Sequence, residues 1–184
     1  IITGNNAKVL KDRPRKGLEP IFTGKDIAKY SLKAPSRYIK FDRADFQQCA
    51  KEDFYRAKEK LVYKFVSGRL CFTYDDKQRL FLNSANILIP DIDGMSTKTV
   101  LAFLNSSLFN FLYTKRFNDL KILKGNLCTL PFPKVTSEQD RQFTELVDKV
   151  LGGDTSSQEE IDKMIFGLYE LDNDEIDLIL NFKF

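Results

Sequence analysis

Histidine and tryptophan are absent from the 184 residues, and cysteine occurs only three times. Without histidine the chain lacks the usual general base near neutral pH and the commonest metal ligand. Cys49, Cys71 and Cys128 are odd in number and far apart, with no C-x-x-C pair. That spacing excludes a disulfide framework and a zinc site, and it fits a reducing compartment with buried or half-buried thiols. No apolar run approaches the ~20 residues of a membrane helix, and no basic, apolar and small-residue leader is visible. The expectation is a cytoplasmic protein without membrane contact.

What is present suffices for a core. With 42% hydrophobic and 12% aromatic residues, the chain can fold as one domain, or one domain plus an appended element. The net charge of +3 hides a marked asymmetry. Residues 8–69 carry 17 Lys and Arg against 8 Asp and Glu, residues 70–134 carry 8 against 5, and residues 135–184 carry 4 against 13. A basic front and an acidic back suggest a region that faces a polyanion, joined to one that faces water or another protein.

The strand signals lie in the front two thirds. "RYIKF" (37–41) reads as a strand, and residues 46–60 as a helix. "KLVYKFVSGRLCFTYDDKQRLFLN" predicts an antiparallel meander with a tight hairpin at Ser67-Gly68 and a third strand after Asp75 to Gln78. "NILIP" adds one more strand, ended by Pro90. From Val100 to Leu112 the apolar spacing turns helical, with a cap at Ser96 or Thr97 and Lys115 and Arg116 at the end, so one long helix is expected over 97–117. "LPFPK" serves as a stiff connector. Beyond it, three amphipathic helices are expected, starting near Ser137 as cap, near 155–157, and at "NDEIDLILNF".

Catalytic patterns are formal at best. Pro90-Asp91 followed by Asp119 to Lys121 matches the nuclease pattern PD…(D/E)xK, but a long helix stands where the second acidic residue needs a strand, so the match is read as chance. "DIDG" lacks the later ligands of a calcium loop, and "TGKD" lacks the upstream glycine of a P-loop. Each is read as a turn, the second feeding a short helical piece, "DIAKY".

The cations offer more. Lys11, Arg13, Arg15 and Lys16 cluster around Pro14, and Lys25, Lys29, Lys33, Arg37, Lys40 and Arg43 continue the series, with Tyr30, Tyr38 and Phe41 between them. Cations on semi-rigid loops suit phosphate contacts, and Arg, Lys and Asn can read base edges. A protein-interaction scaffold, and a non-specific single-strand binder that stacks bases on the interleaved rings, stand as alternatives.

In order, "IITGNN", "IFTGKDIAKY", "RYIKFDR", "AKEKLVYKFVSGRLCFTYDD", "LNSANILIP", "LAFLNSSLFNFLY" and "LKGNLCTLPFPKVTSEQ" resemble the TaqI-like C-terminal specificity domain. Such domains follow an adenine-N6 DNA methyltransferase in single-chain type II (Eco57I-like) restriction-modification enzymes. The order is also similar to a target recognition domain of type I specificity subunits. The resemblance implies an α+β fold: a mainly antiparallel, meander-rich β recognition globule over 1–134 supported by the helix 97–117, then an acidic helical segment, 135–184, acting as spacer or docking surface.

The same resemblance implies a non-catalytic DNA-reading module of a prokaryotic, cytoplasmic enzyme. Its partners would be double-stranded DNA and the methyltransferase domain of the same polypeptide. N-P-P-Y and a glycine loop for S-adenosylmethionine are absent, so that cofactor would belong to the other domain. Expected DNA-binding residues are Asn5, Asn6, Arg13, Arg15, Lys25, Arg37 and Arg69, together with Lys16, Lys33, Arg43, Lys64 and Lys124. For Gly4, Asn5 and Asn6 a left-handed turn ending a strand competes with DNA contact. The start at "IITGNN", without Met, is expected to be the point where the module leaves its parent domain.

Overall fold

The computed structural model describes residues 1–117 and 119–183. Eight short strands occupy the front: β1 (Glu19–Phe22), β2 (Ile27–Ala28), β3 (Ser31–Leu32), β4 (Arg37–Ile39), β5 (Lys60–Lys64), β6 (Phe72–Asp75), β7 (Leu80–Phe81) and β8 (Ala85–Leu88). Two small helices lie among them, α1 (Asn6–Val9) and α2 (Glu52–Tyr55). Then come α3 (Thr97–Asn105), α4 (Ser107–Arg116), α5 (Lys124–Leu127), α6 (Ser137–Leu151), α7 (Ser157–Leu168) and α8 (Asn173–Leu180). The strands form three small sheets, β4-β1-β7, β2-β3 and β6-β5-β8, antiparallel except for the β1–β7 pair. The expected α+β class, with antiparallel strands first and helices last, holds.

The meander is corrected in two places. β5 and β6 do pair, Leu61 opposite Tyr74 and Tyr63 opposite Phe72, but residues 65–71 between them are no tight hairpin. The backbone groups of Phe65 and Ser67 are engaged elsewhere: Ile122 donates to the Phe65 carbonyl at 2.8 Å and Ser67 donates to that of Leu120 at 2.8 Å. After β6 the Asp75 carboxylate accepts from the amides of Lys77 (3.1 Å) and Arg79 (2.9 Å), and Gln78 takes φ 55°. This turn swings the chain out of the ladder, so the third strand joins β1 in parallel. β8 takes the other edge of β5, Leu88 opposite Leu61.

Four helical expectations also change. Residues 46–60 yield only the single turn α2, because Lys60 already belongs to β5 and its ammonium is buried against Asp75 at 2.5 Å and the Tyr55 carbonyl at 2.7 Å. "DIAKY" is the β2–β3 hairpin, turned by Tyr30 at φ 59°, whose amide donates to the Phe72 carbonyl at 2.9 Å. The long helix is two: Ser106 is extended (ψ 158°), and its hydroxyl caps α4 by accepting from the Phe109 amide at 3.1 Å. At α6 the cap is Thr136, in a capping box with Gln139, rather than Ser137.

The C-terminal helices share the main core with β5 and β6. Phe103 is the hub, 5.4 Å from the ring of Phe109, 5.7 Å from Phe132 and 5.2 Å from Phe143. The connector "LPFPK" thus contributes Phe132 as a plug between α3 and α4. Around this hub sit Leu61, Leu70, Phe72, Val147, Ile161, Ile165 and Ile179. A smaller cluster of Ile1, Ile21, Ile39, Tyr55, Leu80 and Leu82 lies under the N-terminal sheet. The thiols of Cys49 and Cys71 are half-buried as expected, whereas Cys128 is exposed on the last turn of α5.

Candidate nucleic-acid interface

The N-terminal basic loop is pinned rather than loose. Lys11 and Tyr38 exchange backbone hydrogen bonds at 2.8 Å each, which ties the start of the loop to β4. Ahead of them Gly4 takes φ 71°, a conformation a Cβ would strain, and Asn5 caps α1 by accepting from the Lys8 amide at 3.1 Å. The Asn6 carboxamide accepts from the Thr3 hydroxyl at 2.5 Å. The turn reading of Gly4 to Asn6 therefore describes their local geometry, and the exposed Asn5 and Asn6 have one acceptor each engaged at home.

Around this turn several of the expected residues converge. Ala7, Lys11, Arg13 and Arg15 line one shallow concavity of about 370 Å³, and Asn6, Thr23 and Arg37 line a neighbouring one of about 560 Å³. Arg13, Arg15 and Lys16 are exposed, as is Arg37. Arg37 is ion-paired with Asp12, so this guanidinium is partly neutralised where it stands. Lys8 and Lys40 line the flank of the same lobe beside Lys11; Lys8 was missed because a single lysine in "NNAKVL" carries no pattern.

Lys25 and Lys33 form a second group. Lys25 lies on the 3-10 turn Gly24–Asp26, and the Lys33 amide donates to the Asp26 carbonyl at 2.9 Å, bringing the two exposed lysines to one turn. The turn is tight by necessity. Asp26 accepts from the Thr23 amide (2.7 Å) and hydroxyl (2.8 Å), and a Cβ on Gly24 would stand 2.4 Å from the Ser84 carbonyl oxygen.

Lys64 and Arg69 form a third group, with Lys29. Burial holds the Lys29 ammonium below the usual lysine range, the nearby charge of Arg69 pushes the same way, and Asp162 opposes both. Lys29 donates to the Asn105 carbonyl at 2.7 Å, so it is a structural cation rather than a free one. Burial raises the Cys71 thiol, against the pull of Lys64, Lys29 and Arg69 around it. Lys124 stands at the start of α5, on the rim of two concavities: one of about 470 Å³ with Phe54, Tyr63 and Asn86, and an apolar one of about 310 Å³ with Ile89, Leu104 and Phe132. Arg43 sits by itself on the 3-10 turn Arg43–Asp45.

Among the described residues no ion pair engages Arg13, Arg15, Lys16, Lys25, Lys33, Arg43, Lys64, Arg69 or Lys124. In the acidic C-terminal part, residues 135–184, carboxylates outnumber cations by 13 to 4. Arg141 is held between Glu138 (2.6 Å) and Glu145, and Lys98 meets Asp148 at 2.6 Å. With 17 Lys and Arg against 8 Asp and Glu over residues 8–69, the unpaired cations leave the front of the chain electropositive, which suits a polyanion.

Residues 19–132, from β1 to the connector, match the model of a family described as the TaqI-like C-terminal specificity domain. No curated protein matches the chain.

Proposed function

The chain belongs to the TaqI-like C-terminal specificity domain family, and on that premise we propose that it reads a sequence in double-stranded DNA. The family implies target recognition in restriction-modification enzymes and a role that is typically non-catalytic. In the reading proposed here, the module presents its target to an adenine-N6 methyltransferase domain of the same polypeptide, which would hold S-adenosylmethionine and flip the base. The observation that carries it is the set of unpaired, exposed cations on turns fixed by backbone hydrogen bonds, within or beside the matched residues.

Arg13, Arg15, Lys16, Lys25 and Lys33 set the register on phosphates, and a minority of polar groups meet base edges. The carboxylate-rich helices α6 to α8 face away from the duplex and act as spacer or docking surface. An equilibrium titration tests this. Binding to duplex DNA should weaken steeply with salt, with a log–log slope of about 0.9 per phosphate contact, and keep a sequence preference as salt rises. Salt-independent behaviour would favour a protein scaffold, and a preference for single strands would favour the stacking alternative.

A further inference from the structure

The extra pairing that widens the β5–β6 connection builds a feature of its own. Residues 65–67 and 120–122 form a two-stranded antiparallel ribbon, with Val66 bridged to Lys121 and flanking hydrogen bonds of 2.8 Å on either side. Its base is anchored. The Tyr113 hydroxyl, from the core end of α4, donates to the Lys121 carbonyl at 3.4 Å and accepts from the Leu123 amide at 3.3 Å. Two apolar side chains nevertheless stand out in water at its tip: Leu120 is 67% exposed and Val66 60%. Strand alternation puts them on opposite faces.

Cations lie on and beside both strands. Lys64 and Arg69 flank the first strand, Lys121 is bridged to Val66, and Lys124 follows two residues after the second. None of the four is in an ion pair among the described residues. The carboxylate of Asp119, next to Leu120, is turned onto the Lys121 amide at 2.8 Å. Bare aliphatic groups with unpaired cations on and beside the same two strands fit a surface that is anionic outside and carries methyl groups inside. The major groove of DNA is such a surface: it admits a two-stranded ribbon, its walls are phosphate, and its floor displays the C5-methyl of thymine.

Resting on the DNA-recognition reading above, we propose that this ribbon enters the major groove and reads pyrimidine C5-methyl groups with Leu120 and Val66, while Lys64, Arg69, Lys121 and Lys124 hold the flanking phosphates. The test uses the full chain and duplexes selected from a random pool, each synthesised with thymine and again with uracil, which lacks only the methyl. Each methyl lost from the ribbon weakens binding about fourfold, the equivalent of ~0.8 kcal/mol for one buried carbon. Leu120→Ala binds the thymine duplex more weakly and loses the share of the discrimination that Leu120 supplies, with an unchanged salt slope, whereas Leu120→Met keeps it; Leu120→Ala with Val66→Ala loses the discrimination altogether.

Equal binding of thymine and uracil duplexes by the wild type overturns the proposal, as does full discrimination by both Leu120→Ala and Val66→Ala. If these variants instead lose association with a separately supplied methyltransferase domain while discriminating normally, the patch is a protein contact and the proposal also falls. Failure of the DNA-recognition reading itself looks different, because no duplex of either kind would then be bound.

Discussion

The carboxamide of Asn105 accepts the Phe72 amide hydrogen at 3.0 Å and donates to the Phe72 carbonyl at 3.0 Å. A side chain thus joins the Tyr30 amide in completing the backbone hydrogen bonds of β6 on its side away from β5. It does so at the last residue of α3, where the helix stops and Ser106 opens α4. The Asn105 carbonyl also receives Lys29, so one residue links the sheet, the hairpin β2–β3 and the paired helices.

Asn105→Ala should leave the Phe72 amide unsatisfied in the core, whereas the Phe72 carbonyl keeps the Tyr30 amide. At roughly 1–3 kcal/mol for one orphaned group, stability falls by about that much. Asn105→Asp keeps the acceptor but loses the donor and adds a buried charge, so it should be no better. Urea denaturation of the variants checks this; a midpoint within error of wild type would remove the clamp from the account.

The Lys60–Asp75 pair is fully buried. Burial alone would raise the Asp75 carboxyl, but the hydrogen bond and charge of Lys60, with the amides of Lys77 and Arg79, outweigh it and hold the group below its ordinary 3.8. A carboxylate depressed in the folded state stabilises the protein above its unfolded value, and that contribution is lost as pH falls through the folded one. Stability should therefore decline with acid below about pH 4. Asp75→Asn, which leaves Lys60 buried without its counter-charge, should cost about 3–5 kcal/mol at neutral pH and remove that part of the acid dependence. Denaturation curves across the pH range read both effects.

Arg37 and Asp12 form an exposed pair, which limits what it contributes to stability. Its effect should appear in DNA affinity. Asp12→Asn frees the guanidinium and removes a negative charge beside Arg13, so binding should tighten by up to about fivefold, the equivalent of ~1 kcal/mol. The salt slope should steepen by about 0.9 if Arg37 gains a phosphate. Unchanged affinity in Asp12→Asn and in Arg37→Ala would take Arg37 out of the interface.

Local signals were legible in the sequence and long-range ones were not. Helices α6, α7 and α8 and strands β4, β5, β6 and β8 follow from apolar period and turn residues, because the physics that makes them lies within a few residues. The break at Ser106 was hidden, since "FLNSSLF" continues the helical period and Asn105 finds its partner 33 positions earlier. β7 reads as a neighbour of β6, and only the Asp75 side chain redirects it to β1. For the interface, residue type and exposure were readable in Arg13, Arg15, Lys25 and Lys33. The pairing of Arg37 with Asp12, the capping duty of Asn5 and the Val66–Lys121 bridge depend on contacts across 3 to 55 positions, which spacing does not encode. Lys121 escaped notice for that reason.

The central claim is that this chain selects a DNA sequence through its unpaired front-side cations and neighbouring polar groups. Selection of bound duplexes from a random pool, repeated at rising salt with wild type and an Arg13→Ala/Arg15→Ala variant, addresses it most directly. The account predicts one short sequence enriched by the wild type and still enriched as salt removes the bulk of binding, with the double variant weaker at every salt concentration. A pool that emerges as random as it entered would contradict it.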